Sequence, residues 1–150
     1  MPLEHIIIPI GSDHAGFLMK KYFLEQLVKE GYILKDMGTR SEEPVDYPDI
    51  AHAVASAVND GQYVFGILIC GSGNGMNMTA NKYSNIRSAL CWNEEIAILA
   101  RAHNNANIIA LPARFLSFEQ GLKIVKSFLR TEFEGGRHIR RVEKINRLMK

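Results

Sequence analysis

The strongest constraint on the fold is an alternation of short apolar runs with longer amphipathic stretches. The apolar runs are HIIIPI (5–10), YILKDMG (32–38), YVFGILIC (63–70), IRSALCW (86–92) and ANIIALP (106–112). Runs of this length and composition are typical of strands that a parallel sheet buries on both faces. Strands that alternate with helices form α/β folds with right-handed crossovers. The sequence therefore predicts an α/β fold with a mostly parallel sheet of five strands.

Helix signals separate these strands. The predicted helices cover Phe17–Glu30, a segment that opens at Pro48, Met76–Lys82, a segment capped by Asn93, a segment from a Ser117/Gln120 capping box to Leu129, and a last segment with Ile139, Val142, Ile145 and Met149 on its apolar face. Asn and Ser satisfy free N–H groups at a helix start, and Pro is tolerated in the first turn. In parallel sheets of this kind ligands bind beyond the carboxyl ends of the strands.

Composition limits the class of protein. The chain has 150 residues, of which 47% are hydrophobic and 23% charged, which predicts one globular domain covering residues 1–150. The apolar run at residues 6–10 is too short to cross a membrane, and no signal peptide is recognisable. The two cysteines form neither a disulfide framework nor a zinc pattern. These features predict a cytoplasmic protein without a membrane partner.

The positive charge is concentrated at the end of the chain. Residues 136–150 contain six Lys or Arg and one Glu, so this segment carries +5 while the remainder of the chain carries −3. A general nucleic-acid binder would be basic over a wider surface, so no nucleic-acid partner is predicted. A local basic end fits a small anion or an acidic partner.

The segment ICGSGNG (69–75) carries the strongest chemical signal. Its glycines allow close backbone approach, and the helix that follows offers free N–H groups to an anion. The alternative is a tight turn between strand and helix without a ligand. Cys70 precedes this helix start, where a thiolate is stabilised, which makes it a candidate base or nucleophile. Cys91 lies inside an apolar run and is interpreted as a core residue.

Three further groups are candidates, each with a plain structural alternative. Asp13 and His14 follow the first strand and suit sugar hydroxyls and phosphate, although an Asp there also caps a helix. His103 ends a helix before an Asn-rich turn. Arg137 and Arg141 lie four residues apart, so on a helix they share one face and suit a phosphate, although a solvated basic tail has the same composition. His, Asp and Glu show no metal-ligand spacing, so no metal is predicted.

Taken together, the motifs SDHAG, DYP, ICGSGNG, ANK, RAHNNAN and EGGRHIRRV resemble the ribose-5-phosphate isomerase B family in order and spacing. The resemblance extends from about Ile7 to Ile145, and the family also contains the galactose-6-phosphate isomerase subunits. It implies a Rossmann-like three-layer αβα sandwich with an additional C-terminal helix. It also implies interconversion of ribose 5-phosphate and ribulose 5-phosphate in the pentose phosphate pathway, no cofactor, and a homodimer or tetramer with its active site between subunits.

The resemblance also implies roles for individual residues. Cys70 resembles the base that removes the C2 proton, and Ser72, together with backbone N–H groups of Gly71 to Gly75, resembles the group that supports the enediolate. His103 resembles the acid/base that opens the furanose ring and, with Asn104, reaches the site from the partner subunit. The remaining implied substrate contacts are Asp13, His14, Tyr47, Gly71, Gly73, Asn74, Gly75, Arg137, Arg141 and, across the dimer, Arg114.

The chain departs from the family at one position, and two alternative functions fit the same motifs. One branch of the family uses a glutamate base just after the glycine loop, and Met76, which cannot accept a proton, occupies that position here. This favours Cys70 as the base. A six-carbon sugar phosphate, such as galactose 6-phosphate or allose 6-phosphate, is an alternative substrate. A non-catalytic nucleotide-binding or flavin-binding module with a flavodoxin-like fold is the alternative of another class.

Overall fold

A computed structural model describes residues 5–147, and its centre is one sheet of five strands. The strands are β1 (Ile7–Ser12), β2 (Ile33–Asp36), β3 (Gly66–Cys70), β4 (Ser88–Leu90) and β5 (Ile108–Pro112). They lie in the order β2-β1-β3-β5-β4, and each neighbouring pair is parallel. The predicted α/β fold is confirmed, and the sheet is parallel throughout.

Six helices connect and follow the strands. They are α1 (Phe17–Lys29), α2 (Tyr47–Asn59), α3 (Asn74–Ala80), α4 (Glu94–Ala102), α5 (Phe118–Arg130) and α6 (Arg137–Glu143), with 3₁₀ turns at Ala113–Phe115 and Lys144–Asn146. Within residues 5–147, none of the helices combines the length and the apolar character needed to cross a membrane.

The predicted helix caps are present. The Asn93 side chain accepts a hydrogen bond of 2.8 Å from the Ile96 N–H at the start of α4. Ser117 and Gln120 form the predicted capping box, with reciprocal bonds of 2.9 and 3.1 Å. These bonds satisfy N–H groups that have no partner inside the helix.

Two predicted helices differ from the structure. Helix α3 covers Asn74–Ala80 and not Met76–Lys82, because Gly73 has φ +77° and turns the chain directly from the loop into the helix. The last helix ends at Glu143, so Ile145 lies in a 3₁₀ turn. Met149, which was predicted on its apolar face, lies outside the described residues.

Helices cover both faces of the sheet, and consecutive residues of β3 show this. Ile67 and Ile69 pack in a core formed with α1, α4 and α5, whereas Leu68 and Cys70 pack in a second core formed with α2 and α3. Side chains of a strand alternate between faces, so a continuous apolar strand needs both cores. This confirms the predicted three-layer sandwich and places Cys70 on the face of α2 and α3.

The order of the strands fixes the position of a ligand crevice. From β1 the chain passes to β2 on one side, and β3 then lies on the other side of β1. A crevice opens at such a reversal, beyond the carboxyl ends of the two strands. Asp13 follows β1, and its N–H donates to the Ile69 carbonyl at 3.2 Å, so Asp13 and Cys70 meet at this crevice. The strand order β2-β1-β3-β5-β4 differs from the order 2-1-3-4-5 of the flavodoxin-like fold, which was the alternative.

Candidate active site

A cleft of about 330 Å³ lies at the carboxyl ends of β1 and β3. We refer to it as the Cys70 cleft, and it is lined by Asp13, His14, Ala15, Tyr47, Cys70, Gly71, Ser72, Gly75 and Arg114. Eight of these nine residues were predicted site residues, the exception being Ala15. The topology therefore brings together side chains that are far apart in the sequence.

Cys70 lies at the start of α3, as predicted, but burial changes its electrostatics. Cys70 is only 4% exposed, and the backbone N–H groups of Met76, Gly73 and Ser72 lie near its sulfur. Burial raises the pKa of the thiol above its ordinary value of 9.0; the Asp13 carboxylate also raises it, and these N–H groups lower it. The thiolate-stabilising effect expected from the helix start is therefore present but outweighed by desolvation.

Ser72 is exposed at the mouth of the cleft and has a free donor. Its Oγ accepts a hydrogen bond of 3.3 Å from the Asn74 N–H, which leaves the hydroxyl proton available to a ligand. Asn74 itself is the first residue of α3 and is exposed. This geometry suits a donor to a developing negative oxygen.

The glycines of the loop are required by close packing as well as by backbone shape. A Cβ on Gly75 would overlap the ring of Tyr47, and one on Gly71 would lie 3.0 Å from the Arg114 guanidinium carbon. Gly73 has a positive φ, and its Cβ would overlap Leu90. The loop is therefore the surface on which Tyr47 and Arg114 rest.

Asp13 and His14 are held by hydrogen bonds to the backbone. The Asp13 carboxylate accepts from the Gly16 N–H at 3.1 Å and is buried. The His14 Nδ1 accepts from the Val45 N–H at 3.2 Å. Because Nδ1 is an acceptor, a neutral ring carries its proton on Nε2. His14 can therefore offer an N–H donor while it holds the loop that leads to Tyr47.

A second group of predicted residues lies elsewhere. His103 follows α4, and its ring stacks on His138 with 4.3 Å between centroids and 13° between planes. The Glu134 Oε2 lies 3.7 Å from the His103 Nε2 and 3.5 Å from the His138 Nε2. We call His103, Glu134 and His138 the His103 cluster. Arg137 and Arg141 lie one turn apart on α6 beside it, and both are exposed, as is Asn104.

The Cys70 cleft and the His103 cluster lie at opposite ends of the sheet. Cys70 ends β3 and pairs with Pro112, the last residue of β5, whereas His103 ends the helix that returns to the first residues of β5. Five residues of β5 span roughly 16 Å. One chain therefore does not bring Cys70 and His103 to the same small sugar.

Arg114 lies in the cleft of its own chain, over Gly71. The cause is local: the Arg114 N–H donates to the Gly71 carbonyl at 3.0 Å, so the end of β5 is fixed against the glycine loop. The contact with phosphate across a dimer that the resemblance implied stays a prediction.

Sequence reasoning missed three residues that support these sites. Lys20 is fully buried; its Nζ lies 2.7 Å from the Asp36 Oδ1 and also donates to the Thr39 carbonyl, which anchors the loop between β2 and Tyr47. The sequence feature that could have revealed Lys20 is its charge at a core-facing position of α1, three residues before the buried Phe23. No hydrophobic or helical pattern in the sequence points to Glu134 and His138, because they contact His103 only in the folded chain.

The His103 cluster is also the group, among residues 5–147, whose donor atoms approach within 4.8 Å of one another. A zinc ion needs donors that converge tetrahedrally. The two rings here are almost parallel, so their nitrogen lone pairs run side by side and do not converge on one point. The geometry therefore favours a stacked pair over a metal centre.

The sequence pattern of the family described as Ribose/Galactose Isomerase matches residues 8–145. The chain belongs to this family. A relative in Escherichia coli (strain K12), a ribose-5-phosphate isomerase B, is 43% identical over 92% of this chain and 93% of its own. Membership of the Ribose/Galactose Isomerase family confirms the resemblance seen in the motifs.

Solved structures of the Ribose/Galactose Isomerase family share the fold. A ribose 5-phosphate isomerase from Thermotoga maritima has a TM-score of 0.94 and 48% identity, covering 97% of this chain and 100% of that one. A ribose-5-phosphate isomerase B from Mycoplasma genitalium, with bound ribulose-5-phosphate, has a TM-score of 0.91 and 42% identity, covering 96% of each chain.

Proposed function

We propose that the protein is an aldose–ketose isomerase that interconverts ribose 5-phosphate and ribulose 5-phosphate. The observation that carries the proposal is the Cys70 thiol, which shares one cleft with the free hydroxyl of Ser72 and lies near backbone N–H groups of the glycine loop. A base and an oxyanion donor at one point are what proton transfer next to a carbonyl requires. The relatives with this activity cover nearly the whole chain.

The reaction moves a proton between neighbouring carbons through an enediolate. Cys70 removes the proton from C2 of the open-chain aldose and returns one to C1, while Ser72 donates to the oxygen that becomes negative. Because the thiol pKa is raised, less thiolate is present near neutrality, but each thiolate is a stronger base. The shift involves no net oxidation, so we expect no cofactor.

Ring opening comes first, because ribose 5-phosphate is mostly a furanose. The ring oxygen must gain a proton and the C1 hydroxyl must lose one, and we assign these transfers to His103 and Asp13. Arg137, Arg141, Arg114 and the Nε2–H of His14 are the proposed phosphate and hydroxyl contacts, with Asn104 and Tyr47 beside the sugar. Bidentate guanidinium groups suit a phosphate dianion.

A second copy of the chain completes this proposed site. Within one chain the His103 cluster is a sheet length away from Cys70, so the two groups serve one sugar only if they come from different subunits. We infer a homodimer, or a tetramer built from dimers, with the sugar between subunits. We further infer that it works in the cytoplasm, since Cys70 and Cys91 are both unpaired.

The test is isomerase activity on ribose 5-phosphate, measured with and without EDTA. We expect activity that EDTA does not change and that Cys70→Ala lowers by about a thousandfold. Cys91→Ala serves as the control for removal of a buried thiol and should retain most of the turnover. Comparison of kcat/KM on five-carbon and six-carbon phosphates tests the substrate. Wild-type turnover in Cys70→Ala would show that the base is another residue, and inactivity on ribose 5-phosphate would refute the proposed substrate.

A further inference from the structure

We propose that Glu134 and His138 are positioning residues for His103: the ring of His138 supports the ring of His103 from one face, and Glu134 is the counter-ion at the edge of the His103 ring. This inference rests on the proposed isomerase function. It adds two residues to the machinery of ring opening, neither of which needs to touch the sugar.

The stacked pair is the first observation. The two imidazole rings are 4.3 Å apart and within 13° of parallel. His103 is the last residue before the Asn-rich turn and 37% of its side chain is exposed, so packing from its own helix does not fix the ring. A flat support on one face restricts the rotation of the ring about its χ2 torsion, which has a broad energy minimum.

His138 is itself firmly placed, which makes it suitable as a support. It is buried in the first turn of α6, and its N–H donates to the Gly135 carbonyl at 3.1 Å. The segment before it is tied to α4, because the Glu134 N–H donates to the Ala102 carbonyl at 3.0 Å. Ala102 directly precedes His103, so this backbone bond holds the segment before His138 next to His103.

Charge supports the same arrangement. Burial, followed by the nearby positive charges of His103, Arg137 and Arg141, lowers the pKa of His138, while Glu134 opposes this effect. A neutral His138 can stack on a protonated His103, whereas two imidazolium rings at this distance would repel each other. The buried His138 Nε2 has no hydrogen-bond partner within residues 5–147, and Glu134 lies near it at ion-pair distance.

The two sugar phosphates differ in whether they need the proton transfer by His103. Opening the furanose breaks the C1–O4 bond, transfers a proton from His103 to O4 and transfers the C1 hydroxyl proton to the Asp13 carboxylate, which leaves an aldehyde. Ribulose 5-phosphate has no such ring to open, because its C5 oxygen carries the phosphate. Exchange of its C1 proton with solvent therefore needs the Cys70 base but not the proton transfer by His103.

The experiment compares His138→Ala, His138→Phe and Glu134→Gln with the wild type in two assays. One is turnover of ribose 5-phosphate, and the other is NMR-detected exchange of the ribulose 5-phosphate C1 proton in D₂O. We expect His138→Ala to lower kcat for ribose 5-phosphate by about tenfold or more and to leave the exchange rate within about twofold. His138→Phe, which keeps a flat ring, should recover most of kcat, and Glu134→Gln should lose about threefold.

Arg140→Ala on the exposed side of α6 is the matched control and should behave as the wild type in both assays. Turnover of ribose 5-phosphate that is unchanged in His138→Ala and Glu134→Gln would overturn the inference, and so would an equal loss in both assays. If His138→Ala does not fold, as judged by thermal melting, His138→Phe and Glu134→Gln decide. A wild type inactive in both assays would refute the proposed function, which separates that failure from failure of this inference.

Discussion

The Cys70 cleft and the His103 cluster are built in opposite ways. The cleft lies at the ends of two central strands, and its thiol is 4% exposed and lies near backbone N–H groups. The cluster lies where α4 and the segment before α6 meet at the surface, and the Glu134 side chain is 59% exposed. The group proposed to transfer the C2 proton is thus buried, whereas His103, Arg137 and Arg141 lie where another chain can reach them.

The two regions also differ in charge. Within one chain, burial and Asp13 raise the pKa of the Cys70 thiol, and the cations Arg137 and Arg141 are at the other end of the sheet. If the cluster of one copy packs against the cleft of another, those cations come close to the sulfur and favour the thiolate. In this arrangement Arg137 and Arg141 add two cations to Arg114, which already lies in the cleft.

The largest expected effect on turnover comes from placing a defective Cys70 cleft in one subunit and a defective His103 cluster in the other. Cys70→Ala and His103→Ala should each lower turnover by about a thousandfold when made alone. Co-expressed with different affinity tags, they should form a mixed dimer in which one of the two sites is intact, and a random mixture should recover about a quarter of wild-type turnover.

Purified single-variant dimers mixed without subunit exchange are the control for this complementation and should remain inactive. A co-expressed pair that is as inactive as either variant alone would mean that both residues act within one chain, which contradicts the two-copy site.

Removing the exposed donor of the cleft should have the next largest effect. Ser72→Ala deletes the hydroxyl next to the thiol, and loss of one oxyanion donor typically costs about 3 kcal/mol, or about a hundredfold in kcat. Ser72→Thr keeps the hydroxyl and should stay near the wild type. Steady-state kinetics on ribose 5-phosphate distinguish the two variants, and an unimpaired Ser72→Ala would remove the proposed role of this residue.

A smaller effect on kinetics is expected where the glycine loop contacts the Tyr47 ring. Gly75→Ala should push the Tyr47 ring away, because the added Cβ overlaps it, and raise KM by about tenfold. In a Tyr47→Ala background the same substitution should cost little, because the neighbour is gone. A double-mutant cycle measures this coupling, and additive effects would show that Gly75 is needed for another reason.

The smallest expected effect tests the charge relation between the regions. Arg137→Met combined with Arg141→Met removes two cations, so the Cys70 pKa should rise and alkylation by iodoacetamide at pH 8 should slow by about threefold. Burial raises the pKa of Cys91 to about 12, so this thiol stays unreactive and serves as the internal reference. Mass spectrometry after timed alkylation reads both sites, and an unchanged Cys70 rate would place the arginines away from the sulfur.

Much of this protein could be predicted from local pattern. The five strands, the Asn93 cap and the Ser117/Gln120 capping box were all readable, because burial on two faces and unsatisfied N–H groups restrict which residues can occupy those positions. The density of glycine between Gly71 and Gly75 and the thiol beside it identified the loop that the cleft is built around.

Tertiary structure alone decided how these parts combine. Local sequence does not encode which strands become neighbours, so only the order β2-β1-β3-β5-β4 brings Asp13 to Cys70 and carries His103 to the far end of the sheet. The raised pKa of Cys70 likewise depends on the helices that cover it, because desolvation is a property of the packed core. The sequence determined which residues are available for the chemistry, and the packing of strands and helices determined which of them can act together.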